Sequence, residues 1–200
     1  MSLVEGTTNT FTDGNNYSYE DEAKEEPSAC IFSKDDLVIA GTGALIVKGN
    51  FNNGIYSKDD LTITGGKISV EAVNHGIKGK DSIAVLNSDI TIKADGDGIC
   101  SSNNVDEGEG FILIDNGIYN ITSGQDGIDA ETCLLINNGS FDITTGEGAK
   151  VTSWGNNAWG KDNRPMRPGM EMEDTSTEDT VSKKAVKAGV DITLTVTPCW

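Results

Sequence analysis

Two aspartates occupy the same local setting. Asp97 stands in "DGDGI" and Asp126 in "QDGID", each one residue before a Gly-Ile pair. Asp95 precedes the first closely, and Asp129 and Glu131 follow the second. If those two turns are neighbours in space, their carboxylates lie about 4.8 Å apart, one strand spacing. Oxygens so placed can share a Ca²⁺ ion, which takes six to eight oxygen ligands including turn carbonyls. The segment "NNVDEGEG" adds Asp106, Glu107 and Glu109 near the same edge, and no lysine accompanies the cluster. The alternative is a hydrated acidic turn that holds no ion.

A second acidic set recurs as "SKDD" and its variants. Lys34, Lys58 and Lys80 form one column of the aligned copies, and Asp35, Asp59 and Asp81 the next. Like charges stacked at strand spacing repel unless neutralised. Here each aspartate is expected to cap its own turn while the lysines balance the charge. A calcium or uronate site on this edge is the alternative. For a glycan, the candidate contacts are Lys78, Lys80 and Tyr56, which points outward by alternation, with Trp154 and Trp159.

These groups are positioned by a repeat. Gly54, Gly76 and Gly98 follow one another at intervals of 22 residues, and Gly127 comes 29 later because "NNVDEGEG" enlarges that copy. An earlier copy begins at Ile31 and a partial one returns at "AVKAGVDITL". Aligned, the copies give five apolar columns. The first holds Ile31, Ile55, Ile77, Ile99 and Ile128, and the second Leu37, Leu61, Ile83, Ile112 and Leu134. The third holds Ile39, Ile63, Val85, Ile114 and Ile136. The fourth holds Leu45, Ile68, Ile90, Tyr119 and Phe141, and the fifth Val47, Val70, Ile92, Ile121 and Ile143. Polar residues alternate with the column members, the signature of strands with one buried face, and the segments are too short and β-branched for helices.

Short strands repeated in register are best satisfied by a parallel β-helix, a solenoid of about 22 residues per coil whose strands each pair with their equivalents in the next coil. A β-sandwich or propeller is the competing architecture. Gly65-Gly66, Asn116-Gly117 and Asn138-Gly139 mark one corner, where positive φ costs least. The chain is expected to be a single β-helix domain over residues 1–200. Within it, residues 1–28 form an irregular cap or loop, 29–152 the regular coils, 153–183 a mobile excursion and 184–200 a final partial coil. After "DITLTV" the sequence stops at "TPCW" without completing a coil, so both ends look cut.

Composition narrows the partners. Fifteen basic against 32 acidic residues give a formal charge of −17, whose field repels nucleic acid and anionic membrane. No stretch approaches the roughly 20 apolar residues that span a bilayer. The start "MSLVEGTTNT" lacks signal-peptide regions, which fits a cytoplasmic chain or a mature or trimmed one. The four cysteines, Cys30, Cys100, Cys133 and Cys199, have no metal-ligand spacing and fall at different points of the repeat. They are expected as buried free thiols, with a disulfide as the alternative, and the chain as a monomer.

The stretches "IFSKDDLVIAGTGALIV", "NNGIYSKDDLTITGGKISV", "AVNHGIKGKDSIAV", "DGDGICSSNN", "SGQDGIDAETCLLI" and "AVKAGVDITL" together resemble a bacterial family of carbohydrate-binding parallel β-helix domains of the clostridial surface-protein type. The likeness covers residues 29–151 and 183–194. It implies a right-handed, pectate-lyase-like β-helix at the cell surface or outside the cell. It also implies calcium ions on the coils and affinity for polygalacturonate (pectin) or cellulose. With the resemblance added, Asp97 and Asp126 are expected to hold Ca²⁺ and to present it to a sugar carboxylate.

A lyase on this fold needs Arg or Lys beside the uronate as base. The two arginines, Arg164 and Arg167, lie in the long excursion, and Lys78 and Lys80 sit on an acidic surface that favours their charged form. His75 occupies the turn position of Asn53 and Asp97 and reads as a turn residue. No GxSxG, Walker or HExxH motif occurs. The expected function is a non-catalytic carbohydrate-binding module. The alternatives are a calcium-dependent pectate-lyase-like enzyme and a structural adhesin or spacer.

Overall fold

The computed structural model describes residues 1–17, 26–146 and 183–195. Among these residues every regular element is a β-strand. In chain order they are β1 (Ser2–Leu3), β2 (Thr8–Thr12), β3 (Ala29–Ser33), β4 (Leu37–Gly41), β5 (Ala44–Gly49), β6 (Asn53–Ser57), β7 (Asp60–Thr64) and β8 (Lys67–Ala72). The later repeats are β9 (Ile77–Gly79) with β10 (Ser82–Ala94), β11 (Ile99–Ser101) with β12 (Phe111–Ser123), and β13 (Ile128–Ala130) with β14 (Cys133–Thr145). The last is β15 (Val186–Ala188) with β16 (Asp191–Leu194).

Two sheets form, and every pairing in them is parallel. The ten-stranded sheet runs β1-β4-β7-β10-β12-β14-β16, with β2, β5 and β8 continuing beside it. The six-stranded sheet runs β15-β13-β11-β9-β6-β3. The register is that of the repeat. Ile31 faces Ile55, Ile55 faces Ile77, Ile77 faces Ile99, and Ile99 faces Ile128. The other four apolar columns are likewise partner rows, for example Leu61–Ile83–Ile112–Leu134 and Val70–Ile92–Ile121–Ile143. Ile55, Ile77, Ile99 and Ile128 are all fully buried, each contributing about 1.5–3 kcal/mol by leaving water. Tyr119 joins its row as core: it is fully buried, stacks on Phe141 at 4.7 Å between ring centroids, and donates its hydroxyl to the Asn116 carbonyl.

The glycine before each isoleucine is there for space. A Cβ on Gly76 would stand 2.5 Å from Ile92 Cγ2 and 2.7 Å from the Gly98 carbonyl oxygen. Gly54, Gly98 and Gly127 meet Val70, Ile121 and Ile143 in the same way. At the expected corner the reason is conformational: Gly65, Gly66, Asn116, Gly117 and Gly139 all have positive φ, and so does Asn87. In the three later repeats the strand continues through this bend, so β10, β12 and β14 are each 13 residues long.

Residues 1–12, within the expected irregular cap of 1–28, are more regular than expected. β1 pairs with β4 and β2 with β5, in the register of a preceding repeat. Its sequence "TNTFT" carries one apolar side chain, because at the sheet edge its inner face has little core to fill. The stretch 153–182 lies outside the described residues. The thiols differ from expectation too: Cys100 is buried, Cys30 half-buried and Cys133 exposed, and all three are free. Cys133 heads β14 beside the exposed Asp191 rather than in an apolar row.

Candidate functional site

The turn before each Gly-Ile pair builds a ladder of side-chain acceptors. Asn53 Oδ1 accepts the N–H of His75 at 3.3 Å, and His75 Nδ1 lies 3.1 Å from the N–H of Asp97. Asp97 Oδ1 accepts the N–H of Asp126 at 2.9 Å, and Asp126 Oδ1 that of Lys184 at 2.6 Å. The residue at this point thus receives the backbone N–H of its equivalent in the next repeat. His75 is a turn residue, as its position implies. Asp97 and Asp126 are therefore buried for a structural reason, since each satisfies an amide that would otherwise lack an acceptor.

Their second oxygens face outward chemistry. Asp97 Oδ2 lies 3.1 Å from His75 Nδ1. That nitrogen, when protonated, donates to the carboxylate; unprotonated, it accepts the Asp97 N–H; it cannot do both. Burial opposes ionisation of Asp97, but the contact with His75 and the hydrogen bond from the Asp126 N–H more than offset it, and the carboxyl sits below the ordinary aspartate range. Asp97, Asp126 and Asp129 bring carboxylate oxygens within 4.8 Å of one another. This is the expected cluster, with one correction: a lysine does accompany it. Lys187 Nζ lies 2.7 Å from Asp129 Oδ2 and 3.4 Å from Asp126 Oδ2. Burial raises the Asp129 carboxyl against the opposing pull of Lys187, and Asp129 in turn raises the Lys187 ammonium. The cluster therefore suits a cation and already has one. A divalent ion fits these carboxylates once the Lys187 ammonium withdraws, and that side chain is 49% exposed.

Other expected ligands stand elsewhere. Asp95 is exposed and borders a polar groove with Glu71 and Lys93. Glu131 is exposed, and its N–H donates to Ser101 Oγ at 3.1 Å. The inserted segment closes on the opposite turn. Asn103 Nδ2 bridges Asp81 Oδ1 at 2.7 Å and Asp106 Oδ2 at 2.9 Å, while Glu107 points into solvent. Asp106 and Glu107 therefore do not extend the Asp97 cluster, because the insertion follows β11 whereas Asp97 precedes it.

The "SKDD" edge departs from simple charge balance. The ammoniums of Lys34 and Lys58 both reach Glu26, and only Lys80 stays with its neighbour Asp81, at 2.8 Å. Turn capping is shared: Ser33 Oγ and Ser57 Oγ accept the N–H groups of Asp35 and Asp59, and Asp35 Oδ1 accepts that of Asp36. A hydrogen bond with Asp81 raises the Asp59 carboxyl above its ordinary range.

On the outer face of the six-stranded sheet, Phe32, Tyr56 and Lys78 occupy one row of partners. The Phe32 and Tyr56 rings meet edge-on at 5.6 Å, and Lys78 Nζ stands 5.4 Å from the Tyr56 ring centre. Two rings and an ammonium on successive strands offer an apolar platform beside a cation. Phe32 escaped the sequence reading, although its alignment with Tyr56 could have revealed it. Trp154 and Trp159 lie outside the described residues.

A family model described as carbohydrate-binding domain-containing protein matches residues 1–197. The chain belongs to this carbohydrate-binding domain family. A carbohydrate-binding domain-containing protein of Acetivibrio thermocellus is 49% identical over 72 residues, covering 36% of this chain and 25% of that protein. A solved structure, the polysaccharide lyase-like protein from C. thermocellum as a gadolinium derivative, superposes with a TM-score of 0.76 at 32% identity over 96% of this chain. The chain spans 63% of that protein's length, so this member of the carbohydrate-binding family matches only part of each relative.

Proposed function

We propose that this chain is a non-catalytic carbohydrate-binding module, a right-handed parallel β-helix at or outside the bacterial surface. In this reading it recognises plant cell-wall polysaccharide, polygalacturonate or cellulose, with calcium assistance. The observation that carries the reading is the Phe32–Tyr56–Lys78 row. Aromatic rings present flat apolar faces for sugar rings, and an ammonium beside them pairs with a uronate carboxylate. The row follows the stacking direction of the repeats, so an extended glycan can engage several of them. Lys80, held by Asp81, flanks it.

Calcium bound at Asp97, Asp126 and Asp129 supplies a positive centre for an anionic sugar on a protein whose net charge is −17. Lys187 gives up its two carboxylate contacts when the ion enters.

The test is affinity electrophoresis and pull-down on polygalacturonate and cellulose, in calcium and in EDTA. Tyr56→Ala and Lys78→Ala are each expected to weaken polygalacturonate binding about tenfold, the effect of losing roughly 1.4 kcal/mol. Unchanged binding in both variants removes the row as the site, and unchanged binding in EDTA removes calcium. Binding to neither glycan under any condition leaves a structural spacer. Release of ultraviolet-absorbing unsaturated uronides would instead make the chain a lyase.

A further inference from the structure

Asp97 also belongs to a group of different chemistry. His75, Asp97 and Cys100 place one ligand atom each (an imidazole nitrogen, a carboxylate oxygen and a thiol sulfur) within 4.8 Å of one another. We propose that these three side chains form a site for a borderline divalent transition metal of the zinc type, separate in ligand preference from the oxygen-only cluster.

The three residues come from fixed places. Cys100 lies on β11, whose backbone is paired to Lys78 on one side and Asp129 on the other. Asp97 is pinned through Oδ1 by the Asp126 N–H, and His75 stands one rung earlier on the same ladder. Cys100 is 5% exposed, and its thiol makes no hydrogen bond among the described residues although two strong ligand groups stand beside it. Burial foremost, with Asp97 and Asp129 nearby, disfavours the free thiolate against the opposing pull of Lys78. A thiol kept dry, unpartnered and close to an imidazole and a carboxylate is a poor nucleophile but a good metal ligand once a cation neutralises it.

The His75–Asp97 contact points the same way. With Nδ1 unprotonated, two acceptor atoms face each other at 3.1 Å; with Nδ1 protonated, the Asp97 N–H loses its acceptor. A cation shared by imidazole, carboxylate and sulfur removes the facing lone pairs and, like a proton on Nδ1, takes that nitrogen's lone pair from the Asp97 N–H. Tetrahedral zinc, with bonds of about 2.0–2.3 Å, needs ligand atoms about 3.4–3.7 Å apart, so binding must draw the three atoms inward from their span of up to 4.8 Å. Sulfur and imidazole select zinc-like ions over calcium, which takes oxygen. Binding releases the Cys100 proton to solvent, and the fourth position stays open to water.

Cobalt(II) titration of the reduced full chain tests the site. The expected result is a stoichiometric thiolate-to-cobalt charge-transfer band in the near ultraviolet, bleached by an equivalent of zinc. Cys100→Ser should abolish it, while Cys30→Ser, Cys133→Ser and Cys199→Ser should retain it. His75→Gln should weaken cobalt binding at least about tenfold with an unchanged far-ultraviolet spectrum, and it decides the matter should Cys100→Ser not fold. No band in the wild-type chain, a band surviving Cys100→Ser, or full affinity in His75→Gln would overturn the assignment.

Discussion

At the scale of single residues, the acids of this protein do two jobs that composition alone cannot separate. Asp97 gives one oxygen to the Asp126 amide and turns the other toward His75. In metal-free buffer, Asp97→Ala should destabilise the fold by about 1–3 kcal/mol, because it strands a buried N–H. Asp97→Asn keeps the acceptor and should recover most of that loss. Denaturant midpoints of the three chains check this, and equal midpoints would show that the ladder contributes nothing. The role was partly visible in the sequence, since the "DGDGI" and "QDGID" turns align with "NNGI" and "NHGI". An asparagine and a histidine at the same point are more typical of a turn acceptor than of a calcium ligand.

At the scale of elements, one carboxylate fastens two repeats. Glu26 takes the Lys58 ammonium from the turn between β6 and β7 and that of Lys34 from the turn between β3 and β4. Lys58 foremost, joined by Lys34, draws the Glu26 carboxyl below the ordinary glutamate range against the opposing effect of burial. A depressed folded-state value stabilises the fold above the unfolded glutamate's pKa, and the gain is lost as pH falls through the lowered value. Wild type should therefore exceed Glu26→Gln in melting temperature at neutral pH, and the gap should close on acidification and narrow in high salt. A gap independent of pH would assign Glu26 a packing role. The strands themselves were legible because a fixed interval of isoleucines leaves one register that buries them all. β2 was not, since "TNTFT" has too few apolar residues to show alternation. Lys187 was missed for another reason: it lies 58 positions from its partner Asp129, and no interval of the regular repeats predicts that distance. Aligning Val186 with Ile128 is the step that sets Lys187 opposite Asp129.

For the whole molecule, a formal charge of −17 opposes the approach of any acidic polysaccharide, even to a surface carrying Lys78. Raising ionic strength from about 0.01 to 0.15 M shortens the screening length from roughly 30 to 8 Å. The association rate with polygalacturonate should therefore rise with salt in this range, and that with neutral cellulose should not. Surface plasmon resonance at several salt concentrations reads the difference, and a rate that falls with salt would mean a local basic patch outweighs the global field.

The eight-residue excursion "NNVDEGEG" leaves the pairing of its flanks intact. β11 still meets β9 and β13, and β12 still meets β10 and β14. Asn103 closes the loop's base by receiving the Val105 and Asp106 amides on Oδ1 and reaching Asp81 with Nδ2. The scaffold therefore has a docking port for foreign peptide. An epitope or recognition loop spliced between Asn104 and Glu109 would be displayed from a rigid, internally braced stem, with the sheets on either side unaware of its length.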